Sequence, residues 1–330
     1  MTRPIWPLYL VLPFKYGRLV TALVIFVVAY AFFSRAPTTA SGFTTPSLFF
    51  SAVLAYIIPV FSLITEHCRQ ALTELRPQLD ISDADFEQLH DEIGGSSLKH
   101  TAFFALLGLA GGTAHLILLL QSATDGILPY LQQSPGALIG WIGTLLVWLT
   151  ITTVMASLID TAIRFARLGA ETCRVDLLNT QPLIGFARVA IISSLAIIGA
   201  QALFSLMSID SSISMKSALP GLIGMGIPLL ALFAVPIWPV HKRLSATKTH
   251  ALAQLNQRIE QCRDGATLGD ESVAVMTQIN QLLMLRREVL LAPVWPFDAG
   301  AITRLVLYII IVPLTWAGAA LIEMLLENVV

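Results

Sequence analysis

The chain has 330 residues, of which 55% are hydrophobic and 12% charged, with a formal net charge of -1 and a mean hydropathy of +0.75. A soluble domain carries roughly 25% charged residues, so this composition excludes a soluble monomer. The near-neutral balance gives no footing for nucleic acid, and the apolar segments leave no length for a separate catalytic domain.

Apolar runs follow one another at about 19–34, 48–64, 101–121, 137–159, 184–206, 221–240 and 301–322, each near the roughly 20 residues that cross a bilayer as a helix. The expected fold class is an all-α integral membrane protein with about seven transmembrane helices, residues 1–330 forming a single polytopic domain. The first run follows a basic stretch as a signal peptide would, but it is too long for the apolar region of one and reads as a retained span. Lys and Arg occupy alternate gaps. Arg3, Lys15 and Arg18 precede the first run, Arg69, Arg76 and Lys99 fill the second gap, Arg164, Arg167, Arg174 and Arg188 the fourth, and most of the remainder the sixth. Of the 20 basic residues, only Arg35 and Lys216 fall in the other set. Positive loops stay cytoplasmic on insertion, which predicts the N-terminus inside and the C-terminus outside, in a bacterial cytoplasmic (inner) membrane.

Residues 65–100 form an expected cytoplasmic helical loop. His67 to Leu79 continues the second span and stops near Pro77, and Ser82 with Asp85 has the spacing of a capping box for a short helix ending at Gly94-Gly95. Its carboxylates suit a first helical turn; a calcium loop would need a glycine that is missing. Residues 160–183 are expected to form a cytoplasmic amphipathic helix. There Asp160, Arg164, Arg167, Glu171 and Arg174 share about 80° of arc at 100° per residue, as one self-paired charged stripe.

Within the spans, His115 is the one centrally placed ionisable group. Together with Thr150, Thr153 and Ser157 on the fourth run it is a pore or pathway candidate, the alternative being helix–helix contacts satisfied locally. The sixth run contains Gly224, Gly226 and Pro228, the hinge candidates of a broken helix.

Residues 241–298 read as a cytoplasmic antiparallel helical hairpin between the sixth and seventh spans, turned between Asp264-Gly265 and Gly269-Asp270. Leu244, Ala251, Leu252, Leu255, Ile259 and Cys262 share one face of its first arm; Val275, Met276, Ile279, Leu282, Leu283, Val289 and Leu290 form the face of the second. Arg286 lies amid that second face and is the cytoplasmic latch candidate, either snorkelling to headgroups or locked in a buried ion pair with the membrane domain. A motif recurs as Pro4-Ile5-Trp6-Pro7, Pro236-Ile237-Trp238-Pro239 and Pro293-Val294-Trp295-Pro296. Proline there starts or stops a helix, and Trp6, Trp238 and Trp295 are interfacial anchors.

Cys68, Cys173 and Cys262 lie in expected cytoplasmic segments and have no metal-ligand spacing, so neither a disulfide nor a metal is expected. No HExxH or GxSxG motif is present, no catalytic residue is assigned, and neither an enzyme nor a cofactor is expected. Two functional readings follow. One is a passive pore, channel or transport-type protein with cytoplasmic helical regulatory elements. The other is a non-transporting scaffold or signalling component whose hairpin recruits a cytoplasmic protein. Either would contact membrane lipid and assemble as a homo-oligomer.

Overall fold

The computed structural model describes residues 3–35, 45–121, 135–203, 206, 215–265, 273–296, 300, 303 and 307, to which all that follows refers. The helices are α1 (Trp6–Tyr9), α2 (Gly17–Phe33), α3 (Thr45–Leu75), α4 (Asp83–Glu92), α5 (Leu98–Gln121), α6 (Pro135–Arg167), α7 (Ile184–Leu203), α8 (Met215–Gly265) and α9 (Val273–Leu291), with two short strands, β1 (Arg3–Pro4) and β2 (Gly95–Ser96). Five segments are long and apolar enough to cross a membrane: Ser47–Gln78, Leu98–Ile117, Trp141–Thr172, Gln181–Leu203 and Gly226–Asp264. Gly17–Phe33 is a shorter apolar helix. The chain is thus an all-α membrane protein. The expected seventh span lies, apart from residues 303 and 307, outside the described residues, as does the hairpin turn beyond Gly265.

α7 packs against α3 and α8. Its sequence is apolar on every side, as burial among neighbours requires, and Phe186, Ala187, Val189, Ala190 and Ile197 are buried. α2 covers α3 with Gly17, Thr21, Ala29 and Phe33 inward. Leu19, Leu23, Val24, Val27 and Val28 form its exposed apolar stripe, the surface that suits lipid. Because lipid tails are as apolar as leucine, such helices associate through close packing over small residues. α5 and α6 do so at Gly108, Gly111 and Gly112, which abut Leu149, Trp148 and Leu145.

The charged residues collect at one end of the bundle, where they cross-link successive connections. Ser82 caps α4, its hydroxyl accepting from the Asp85 amide at 3.1 Å and donating to the Asp85 carboxylate at 2.7 Å. β1 pairs antiparallel with β2, and the Ile5 amide donates to Gly94 at 3.1 Å. Gly94 has φ 76°, and a Cβ there would lie 2.5 Å from the Thr65 methyl, so both conformation and space demand glycine. Arg164 pairs with Glu92, Arg188 with Glu74 at 2.6 Å, His100 with Asp160 at 3.3 Å, and Arg174 with Asp80 at 3.2 Å.

Three expectations change here. The charged stripe on 160–174 is not self-paired: Asp160, Arg164 and Arg174 each reach a partner from residues 80–100. The amphipathic helix expected over 160–183 is replaced by the end of α6, a π-turn at Leu168–Thr172 and an irregular segment in which Cys173 bridges Leu79. That segment satisfies its backbone on the other loop, Asp80 donating to Thr172 at 2.9 Å and Arg174 to Gln78 at 2.7 Å. Third, α8 is one helix of 51 residues, unbroken at Gly224, Gly226, Pro228 and the Pro236–Pro239 motif. Each proline removes one backbone bond, while Leu229, Leu232, Ile237, Val240 and Leu244 are buried along the same stretch. The first hairpin arm is therefore the direct continuation of the apolar stretch that begins at Gly226.

A Cβ on Gly108 would meet the Leu149 Cα at 3.0 Å and the Trp148 carbonyl at 3.2 Å, both backbone atoms that cannot swing aside. Gly108→Val should separate α5 from α6 and destabilise the protein by about 1–3 kcal/mol. Thermal unfolding in detergent, with proteolysis of the 98–121 segment, measures this; unchanged melting would show that the contact is loose.

Candidate functional site

The hairpin root is the most fully constructed feature of the basic end. α8 and α9 pack antiparallel, and the register is fixed by three cross-links from side chains to their opposite numbers. His241 donates through Nδ1 to the Val294 carbonyl at 2.9 Å. Lys248 donates to the carbonyls of Leu290 and Ala292 at 2.7 and 2.8 Å. Arg286 donates through Nε to the Asn256 side-chain oxygen at 2.8 Å. Between them Leu244, Leu255, Val289 and Ala292 are buried. Lys248 supplies what the end of α9 lacks, donors and positive charge for carbonyls that no later turn can satisfy.

Two copies of the proline–tryptophan motif meet here. The His241 ring stacks on Trp295 with centroids 3.6 Å apart, and Trp238 lies 5.7 Å from His241 and 6.5 Å from Trp295. Trp238 is 58% exposed, as an interfacial anchor would be, although its motif neither starts nor stops a helix. Trp6 does begin one, α1, with Ile5 buried before it. The third copy follows the end of α9. Arg286, the latch candidate, ties the two hairpin arms to each other through Asn256.

The pathway candidates are not brought together. His115 lies 5.7 Å from the Trp148 ring, on the α5–α6 contact. Thr150, two residues on from Trp148, is about 200° around α6. Thr150 and Thr153 are buried and donate to the carbonyls of Leu146 and Leu149 at 2.8 and 2.7 Å, and buried Ser157 accepts the Thr161 hydroxyl through its carbonyl at 2.9 Å. The hydroxyls of Thr150 and Thr153 thus satisfy themselves on their own helix.

Cys68 and Cys173 are buried, and burial pushes the Cys173 thiol up to about 11; Cys262, on the hairpin, is half-buried. The sequence reading passed over Lys248, His241 and Asn256, since a lone lysine or histidine has no ligand spacing and only the antiparallel register shows what faces it. No family model, curated protein or solved structure matches this chain.

Lys248→Met should fray the last turn of α9 at a cost of about 1–2 kcal/mol, visible as faster amide exchange at residues 288–292. Arg286→Ala, removing one half-exposed contact, should change stability by less than about 1 kcal/mol. Leu255→Asp, which buries a carboxylate between the arms, should cost about 2–5 kcal/mol and open the hairpin to protease.

Proposed function

We propose that this is a seven-span protein of a bacterial inner membrane, its basic end in the cytoplasm, that acts as a non-transporting scaffold presenting the α8–α9 hairpin to a cytoplasmic protein. The observation that carries this reading is the second apolar face of α9. Beside the face packed on α8, Met276, Leu283 and Leu290 are exposed together with Met284 and Leu291. Met276, Leu283 and Leu290 recur every seven residues, the spacing that keeps one side of a helix turned toward a partner helix. An apolar stripe on a projecting hairpin is favourable only when covered, and methionine suits an adaptable interface. The occupant fitting that stripe is an amphipathic helix of the partner.

The pore reading has weaker support. His115 and the hydroxyls of Thr150 and Thr153 occupy different faces and lie against other side chains or their own backbone, whereas a shared lining is what a conducting path would use.

Native thiols report the orientation. Reactivity requires the thiolate, so at pH 8 Cys173, with its thiol raised to about 11, stays protonated and inert in the folded protein. An impermeant maleimide should therefore label Cys262 alone, in inverted vesicles and not in intact cells; labelling from outside would reverse the topology. Purified protein in liposomes should carry no ion above the leak of empty vesicles. A flux whose pH response disappears in His115→Gln would overturn the scaffold reading. Leu283→Ser with Leu290→Ser should leave melting within about 1 kcal/mol of the parent while abolishing in-cell cross-links from residue 284 to a discrete protein.

A further inference from the structure

A cleft of about 730 Å³ lies between the N-terminal segment and α3. It is of the size that holds a drug-sized ligand, roughly 300–1,000 Å³, and far larger than an inorganic anion needs. Its lining divides into two chemistries. Leu8, Leu12 and Phe14 supply apolar wall, and Lys15, Arg18 and Arg69 supply positive charge, against a single carboxylate, Glu66. Glu66 is already engaged by Arg18, leaving Lys15 and Arg69 without a carboxylate of their own in the cleft. Arg69 donates through Nη2 to the Ile93 carbonyl at 2.9 Å. Its Nε is buried and has no hydrogen-bond partner among the described residues, an arrangement that native proteins rarely leave without a ligand or water.

α2 begins at Gly17, so the cleft adjoins the basic end of an apolar helix, and no side chain caps that helix N-terminus. On the N-terminal segment Tyr9 is 68% and Tyr16 60% exposed. Exposed aromatic rings beside lysine and arginine at the end of an apolar helix mark the headgroup layer.

We propose that this cleft binds an anionic membrane phospholipid, the phosphate held by Lys15, Arg18 and Arg69 and the first part of the acyl chain lying on Leu8, Leu12 and Phe14. Arginine suits phosphate through its paired donors, and the partly apolar setting strengthens each charge-assisted bond. Glu66 sets the affinity in the opposite sense, by competing with the phosphate for Arg18. The site is independent of the hairpin and of the scaffold reading.

The test uses the full-length protein in detergent and in nanodiscs, with bound lipid counted by native mass spectrometry. The parent should retain phosphatidylglycerol over zwitterionic phosphatidylcholine by about tenfold, and Lys15→Gln and Arg69→Gln should each reduce that preference by about fivefold or more. Because Arg69 also holds the Ile93 carbonyl, Lys15→Gln is the variant that separates ligand loss from misfolding. Glu66→Gln should raise retention, a gain that a merely structural carboxylate would not produce. Millimolar inorganic phosphate should fail to displace the lipid. Displacement by phosphate would assign the site to a soluble phosphate compound and overturn the lipid. Equal retention of both lipids, or a preference unchanged in Lys15→Gln, would overturn the site.

Discussion

The ion pair between Arg164 and Glu92 is the contact on which the basic end is built. It joins the end of α6 to the end of α4, with only 28% and 17% of the two side chains exposed. Charges so placed are costly to separate, because each would be left partly desolvated without a partner. The pair therefore holds α4 against the bundle, and α4 in turn delivers Gly94 and β2 to the N-terminal strand. The cleft, whose one wall is that N-terminal segment, exists because this chain of contacts is closed. α8 is tied to the same layer, since Arg243 donates to the Gly169 carbonyl in the π-turn at 3.4 Å.

A different balance holds along the apolar lengths of the helices. Burying a leucine against a neighbour gains little over leaving it in lipid, so contact is governed by fit and by satisfied polar groups. Gly108, Gly111 and Gly112 let α5 approach α6 where Trp148 fills the space, and Gly143 does the same for Phe33 of α2. The hydroxyls of Thr150 and Thr153 turn back to the carbonyls of Leu146 and Leu149 on the preceding turn of the same helix. The hydroxyls of Thr150 and Thr153 are thus spent on structure, while the cleft and the hairpin root stand at the basic end.

Those features share a physical origin. A helix that leaves the apolar layer must exchange lipid for water within a turn or two, and at the N-terminal segment and the hairpin root tryptophan, proline and cations stand together. At the N-terminal segment this produces an apolar wall of Leu8 and Leu12 beside Lys15, Arg18 and Arg69. At the hairpin root it produces the Trp238, His241 and Trp295 stack, above which α8 continues as a helix because its inner face stays buried through Val240 and Leu244.

Hydropathy and residue spacing point, without coordinates, to an all-α membrane protein with a run of apolar helices, to the Ser82 cap with its Gly94 stop, and to a helix face that buries Leu244 and Leu255. These are legible because each depends on residues close in sequence or on a simple period. Which charge meets which was not: Arg164 could be matched with Glu171 on one helical face, yet its partner is Glu92, 72 residues away. The unbroken α8, the meeting of two proline–tryptophan motifs, Lys248 at the end of α9 and the buried Nε of Arg69 were likewise decided by tertiary structure. Local patterns state what each helix can bury and where its ends want water; the partners are chosen only when helices distant in sequence are brought side by side, and that choice depends on the fit of whole surfaces.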